Sequence, residues 1–208
     1  MEKILVAGAN GTTGKKIISI LKESNKYEPV AMVRNEDQAS HFKNEGITTI
    51  LADLENDLSQ TTNGIDRVIF AAGSGGKKVK EVDQEGAKKL MDAAKEKGVK
   101  KFVMLSSMGA DKPEEAEELK EYLKAKHNAD EYLKQLGLEY TIIRPGSLTN
   151  EDGKGKIELE NKLNKRGEIS RQDVAETLVG SLEDSVGKNK TFEILKGDIY
   201  IKAALEMI

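Results

Sequence analysis

The chain has no cysteine, which excludes disulfides and thiolate chemistry. Its only two histidines, His41 and His127, lie far apart, so no metal cluster is expected. No run of 18 apolar residues occurs, and Met1–Glu2–Lys3 leads straight into a strand-like segment. Neither a membrane span nor a signal peptide is therefore expected, and the cytoplasm is the expected location. The charge is also without a marked bias. There are 33 basic and 36 acidic residues, a net charge of −3, with both signs mixed along the chain. That balance argues against nucleic acid or anionic lipid as the main partner and leaves a small-molecule substrate as the expectation, with the assembly state open. The 208 residues suffice for one domain with a full core, and no shift in composition divides them.

What is present is a succession of short apolar runs and amphipathic segments. "KILVA" (Lys3–Ala7), "PVAMV" (Pro29–Val33), Ile47–Leu51, Arg67–Ala71, "KFVML" (Lys101–Leu105) and "YTIIR" (Tyr140–Arg144) read as strands. Thr12–Ser24, Glu36–Asn44, Val79–Lys97 and Glu114–Leu136 read as the helices between them. Strands without alternation, separated by such helices, predict a parallel sheet covered on both faces. Right-handed crossovers then give a doubly wound, three-layer α/β/α sheet of the Rossmann kind. After Pro145 the pattern loosens. Glu151–Lys156 reads as a loop, Arg171–Leu182 as a helix capped by Ser170 or Asp173, and Thr191–Leu195 as a late strand. Residues 1–208 are thus expected to form one domain, with a small substrate-side region built from about 146–170 and 185–208.

"VAGANGTTGKK" joins the first strand to the first helix, and Gly8, Gly11 and Gly14 recur there as G-x-x-G-x-x-G. Gly8 permits a tight turn out of the strand. Gly11 leaves room for backbone to approach a pyrophosphate, and Gly14 lets the helix pack closely. With Asn10, Thr12 and Thr13, these glycines place a helix N-terminus, with free N–H groups and partial positive charge, against the phosphates of a dinucleotide. About 20 residues further on, an NAD protein usually offers an acid to the adenosine ribose. Here the second strand ends "AMVRNEDQ", and Arg34 holds that place. A guanidinium suits a 2′-phosphate, so NADP is favoured over NAD, although Glu36 and Asp37 stand close by.

Further contacts are expected at the other strand ends. Asp53, with Leu54 beside it, could accept from the adenine amino group or cap a helix over Leu54–Leu58. Ala71, Ala72 and Gly73 would let backbone pass close to the cofactor ribose. Ser106 and Ser107 fall at the carboxyl edge of the sheet, where ligands sit in such folds. The helix over Glu114–Leu136 raises a separate question. At about 100° per residue, Leu119, Leu123, Lys126, Asp130 and Leu133 share one side, which puts a lysine among leucines. Tyr122 is its neighbour at i−4. Lys126 either snorkels, pairs with Asp130 at i+4, or holds a ligand.

Taken together, the glycine turn, Ser107, Tyr122-x-x-x-Lys126 and "RPG" at Arg144–Gly146 resemble the short-chain dehydrogenase/reductase superfamily. Length and "RPGSL" look most like its atypical branch, whose members carry the label NAD(P)-dependent epimerase/dehydratase. The resemblance spans essentially the whole chain. It implies that Lys126 hydrogen-bonds the nicotinamide ribose and stabilises the Tyr122 phenolate. It further implies that Tyr122 exchanges a proton with a substrate oxygen, that Ser107 hydrogen-bonds the same oxygen, and that Pro145 and Gly146 lie against the nicotinamide carboxamide. "EVDQEG" puts Asp83 where the larger family often has asparagine, which leaves the usual proton relay open. Ser74–Lys78, Met108–Pro113 and Gly146–Lys156 would face the nicotinamide end, with Lys77, Lys78, Lys154 and Lys156 as solvated loop charges or, alternatively, as groups favouring an anionic substrate.

Three functions follow. The first is an NADP(H)-dependent oxidoreductase on a small carbonyl or related compound. The second is a sugar-nucleotide epimerase or dehydratase, for which the 63 residues after Pro145 (208 − 145) make a small substrate lobe. The third is a redox sensor that binds NADP(H) without turnover.

Overall fold

The computed structural model describes residues 1–208. Its parallel strands are β1 (Glu2–Ala7), β2 (Tyr27–Val33), β3 (Thr48–Leu51), β4 (Arg67–Phe70), β5 (Lys101–Leu105) and β6 (Tyr140–Pro145), in the spatial order β3-β2-β1-β4-β5-β6. This is the order expected for a doubly wound sheet, and every neighbouring pair is parallel. The late strand β10 (Lys190–Lys196) adds parallel to β6. Beyond it the sheet reverses direction. β8 (Lys156–Glu160) runs antiparallel to β10, and β11 (Ile199–Tyr200) antiparallel to β8. A separate two-stranded ribbon pairs β7 (Ser147–Thr149) with β9 (Glu168–Ser170). Residues 146–170 and 185–208 thus contribute β7 to β11, of which β8, β10 and β11 extend the main sheet.

Successive side chains of a strand point to opposite faces, and the two buried clusters divide accordingly. Ile4 and Val6 of β1 join one cluster with Ile17, Ile18 and Leu21 of α1 (Thr12–Lys22), Phe42 of α2 (Glu36–Asn44), Leu178 of α5 (Arg171–Gly180) and Leu205 of α6 (Ile201–Leu205). Leu5 and Ala7 join the other with Leu90 and Met91 of α3 (Ala87–Glu96) and Leu133 of α4 (Lys120–Gln135). The three-layer α/β/α arrangement is therefore present.

Five local expectations need correction. The predicted helix over Val79–Lys97 is a π-helical stretch, Val79–Gly86, followed by α3. Close packing accompanies the wider turn. A Cβ on Gly86 would lie 2.7 Å from Leu54 Cβ, and Asp83 is driven inward to 1% exposure. The helix predicted from Glu114 begins only at Lys120; a short 3₁₀ turn, Pro113–Glu115, precedes it. Glu114, Glu115, Glu117 and Glu118 would repel one another at i+3 and i+4 in a helix and have no apolar face to bury. Leu119, expected in the buried stripe, is 69% exposed and sits in the left-handed region at φ +58°. No helix forms over Leu54–Leu58; the segment is a set of turns. Finally, β8 begins at the last residue of the predicted loop, and the short strands β7, β9 and β11 offer only two or three residues each, too few for a readable period.

Ser170 rather than Asp173 caps α5. Its hydroxyl accepts from the Asp173 N–H at 3.0 Å and donates to the Asp173 carboxylate at 2.9 Å. That carboxylate also accepts from the backbone N–H groups of Lys154 and Gly155, tying the loop before β8 to the helix start.

Candidate functional site

The turn between β1 and α1 allows no other residue at Gly8. Its φ is +87°, and a Cβ would lie 2.6 Å from the Ala72 nitrogen and 2.8 Å from the Ala71 carbonyl carbon at the end of β4. A Cβ on Gly14 would overlap the Gly8 carbonyl oxygen, so this glycine brings the helix onto the turn itself. Gly11 donates its N–H to that same oxygen at 2.9 Å and stands at the N-terminus of α1. No side chain caps the helix there, and its first turn contains no acid. Its leading N–H groups are left for an anion.

In front of this turn lies a cleft of about 500 Å³. Of the residues expected to contact the cofactor, Gly8, Asn10, Gly11, Arg34, Asp53, Leu54, Ala71, Ala72 and Gly73 line it. Thr12, exposed, and Thr13, buried, stand just behind in the first turn of α1. Glu36 and Asp37 are not in the wall. They occupy the first turn of α2, which Asn35 caps, and there they complement the helix dipole. Arg34 is exposed at the cleft, and its backbone N–H donates to Gln38 Oε1 at 3.0 Å. Asp53 faces the cleft too. With no helix to cap, it accepts from the Glu55 N–H at 3.0 Å and shapes the turn.

Lys77 and Lys78 line this cleft as well. Lys78 is held by Glu55 at 2.7 Å. Ser74, expected near the ligand, lines the cleft too, whereas Gln38 and Val82 are additions that the sequence does not single out. Nothing in their residue type announces them: the first turn of α2 brings Gln38 to the cleft, and the π-helical stretch brings Val82.

Beyond Gly73, at the carboxyl ends of β4 and β5, lies Lys126, 3% exposed. Its ammonium donates to the Leu105 carbonyl at 3.1 Å and stands 3.9 Å from Asp83 Oδ1, 5.9 Å from the Phe70 ring centre and 5.7 Å from that of Tyr122. It does not pair with Asp130. Asp130 Oδ2 instead accepts from Arg144 Nε and Nη2 at 3.0 and 2.8 Å and from the Ser106 hydroxyl at 2.8 Å. Ser106, expected at the cofactor, is therefore turned inward, with its N–H spent on the Ile143 carbonyl. Ser107 is half-buried, and its hydroxyl donates to the Met108 carbonyl at 3.2 Å. No hydrogen bond joins Ser107, Tyr122 and Lys126 to one another. Pro145 accepts from the Met108 N–H at 3.0 Å, and a Cβ on Gly146 would overlap the Gly167 carbonyl, so "RPG" fixes the edge of β6 against the neighbouring loops.

The sequence profile of a family described as NAD(P)H-binding matches residues 8–185. The chain belongs to that NAD(P)H-binding family. It is 40% identical to a Bacillus subtilis protein named uncharacterized sugar epimerase YhfK, over 99% of this chain and 100% of the relative. It is 31% identical to sanguinarine reductase of Eschscholzia californica, over 92% of this chain and 88% of that one. A Bacillus halodurans structure, described as a candidate NAD-dependent epimerase/dehydratase, superposes with a TM-score of 0.95 at 38% identity and covers both chains completely.

An NAD(P)H-binding protein needs a glycine turn at an open helix N-terminus, a lined adenosine cleft and polar groups at the far ribose. The residues present fit that group. The missing Cβ atoms of Gly8 and Gly14 are required by geometry, and Lys126 is a buried donor with protons to spare. The structure has no helix long and apolar enough to cross a membrane.

Proposed function

We propose that this protein is an NADP(H)-dependent oxidoreductase acting on a small carbonyl or related compound. One observation carries the reading: a buried ammonium, Lys126, sits beside the Tyr122 ring at the carboxyl ends of β4 and β5. Bound nicotinamide supplies or accepts the hydride. Lys126 would hold the ribose hydroxyls and place its positive charge near Tyr122. Tyr122 would give or take the proton at the substrate oxygen. Ser107 would rotate from the Met108 carbonyl to hydrogen-bond that oxygen. The preference for NADP is supported by Arg34 and Lys77 in the cleft wall, with Glu36 and Asp37 outside it.

The test is NADPH oxidation across a panel of small carbonyl compounds. With an accepted substrate, Tyr122→Phe should lower kcat about a hundredfold or more while NADPH affinity stays unchanged. Equal rates in that variant would discard Tyr122 as the acid.

A sugar-nucleotide epimerase or dehydratase is a second reading, favoured by one relative described as a sugar epimerase and one as an epimerase/dehydratase. Against it, β8, β10 and β11 are spent on extending the main sheet rather than on a separate lobe. Tight binding of a uridine diphosphate sugar would revive it. Tight NADPH binding with no turnover on any acceptor would favour a sensor.

A further inference from the structure

We propose that Asp83 is a second polar contact to the cofactor. With Lys126 it forms a donor–acceptor pair for the hydroxyls of the ribose at the nicotinamide end, Lys126 donating and Asp83 Oδ1 accepting. The proposal rests on the cofactor reading above and assigns a role to a residue that the Tyr122–Lys126 chemistry leaves idle.

Asp83 is 1% exposed, and its two oxygens differ. Oδ2 accepts from the Ser74 N–H at 3.0 Å. Oδ1 has no hydrogen-bond partner. Its nearest cation, Lys126 Nζ, is 3.9 Å away, beyond hydrogen-bond range. A buried carboxylate oxygen without a donor is costly, and such atoms in folded proteins call for an explanation. Lys126 is incomplete in the complementary sense. It has three donors and spends one, on the Leu105 carbonyl. The acceptor and the donor thus stand close together on two elements, the π-helical stretch and α4, each with capacity unspent.

Gly73 separates this pair from the cleft. Gly73 lines the cleft, and a Cβ built on it would lie 3.2 Å from Asp83 Oδ1. Gly73 is therefore the thin wall between the carboxylate and the ligand space, and a side chain there would cover the oxygen. Val82, next to Asp83, lines the same cleft. The π-helical winding of Val79–Gly86 places Val82 in the wall and Asp83 just behind Gly73; such windings are frequent at functional sites. A diol that accepts from an ammonium and donates to a carboxylate satisfies both groups at once. The bland alternative is that Asp83 only neutralises Lys126 and orders the Ser74 loop.

Asp83→Asn separates the two. Asparagine keeps the size and one carbonyl oxygen. Spending that oxygen on the Ser74 N–H leaves an amino group in place of Oδ1 and no acceptor for a hydroxyl. Calorimetric titration should show NADPH binding weakened about tenfold, the effect of losing one charge-assisted hydrogen bond. Binding of adenosine 2′,5′-bisphosphate, which lacks the nicotinamide riboside, should be unchanged. Equal NADPH affinity in variant and wild type overturns the proposal, as does an equal loss for both ligands, which is what a purely structural role produces. A wild-type protein that binds neither ligand overturns the cofactor reading, and this proposal with it. If Asp83→Asn does not fold, Gly73→Ala takes its place. It should show the same selective loss, and undiminished NADPH affinity there contradicts the proposal.

Discussion

Lys126 shows how far a single residue can be read from its spacing. Helical periodicity places it correctly on the buried side of α4, because side-chain direction follows from 3.6 residues per turn. Its partners are another matter. The i+4 rule offered Asp130, yet Asp130 is taken by Arg144 of β6 and Ser106, residues 14 and 24 positions away in sequence. Local spacing reports which face a side chain occupies, not which distant groups share that face. Arg34 is simpler, since a strand end after the glycine turn is a fixed place in this fold. Arg34→Glu should weaken NADPH binding at least tenfold while leaving NADH binding equal or improved, because a carboxylate repels the 2′-phosphate and can accept from a ribose hydroxyl. Competition measurements with the two reduced nucleotides check this, and an equal loss for both would remove Arg34 from 2′-phosphate recognition.

At the scale of elements, the long strands and helices were legible and the irregular ones were not. β1, β2, β5 and β6 are continuous apolar runs with little else to be. The π-helical stretch looked like part of an ordinary helix, because Val82, Ala87, Leu90 and Met91 fit a helical period and nothing in composition marks a wider turn. The start of α4 was misplaced because Leu119 looked like one more member of a stripe. Tertiary contact, absent there, is what decides whether an acidic segment becomes helix. The junction of α4, β5 and β6 is held by the Ser106–Asp130–Arg144 cluster, with Asp130 0% and Arg144 6% exposed. Asp130→Ala leaves the guanidinium buried without its short-range partner and should cost about 3–5 kcal/mol of stability, read from urea denaturation. A loss below ~1 kcal/mol would mean that water or Asp111, 3.9 Å away, takes over.

Across the whole molecule, the layers are pinned at the end of the sheet opposite the site. Arg67, at the start of β4, donates to the Leu182 carbonyl at 2.7 Å. Lys101, at the start of β5, donates to the carbonyls of Glu183 and Val186 at 2.8 and 2.6 Å. These carbonyls belong to the segment that follows α5. Burial pushes the Lys101 ammonium down to about 8 from its ordinary 10.5, with Arg67 adding to the effect. In this range the unfolded chain binds the proton that the folded chain releases, so folding stability should rise as pH increases from about 8 to 10.5. Lys101→Met should flatten that rise in denaturant titrations taken across the interval, and an unchanged slope would assign it to another group.

The same sheet that is fixed at this end presents its glycine turn, cleft and buried lysine at the other, and the sequence disclosed that polarity through the position of its first glycine run. The most direct test is calorimetric titration of the folded protein with NADPH. Saturable binding of one NADPH per chain, abolished by Gly8→Val, is the predicted result. Absence of any binding heat for NADPH or NADH, on protein shown to be folded by circular dichroism, would contradict the account.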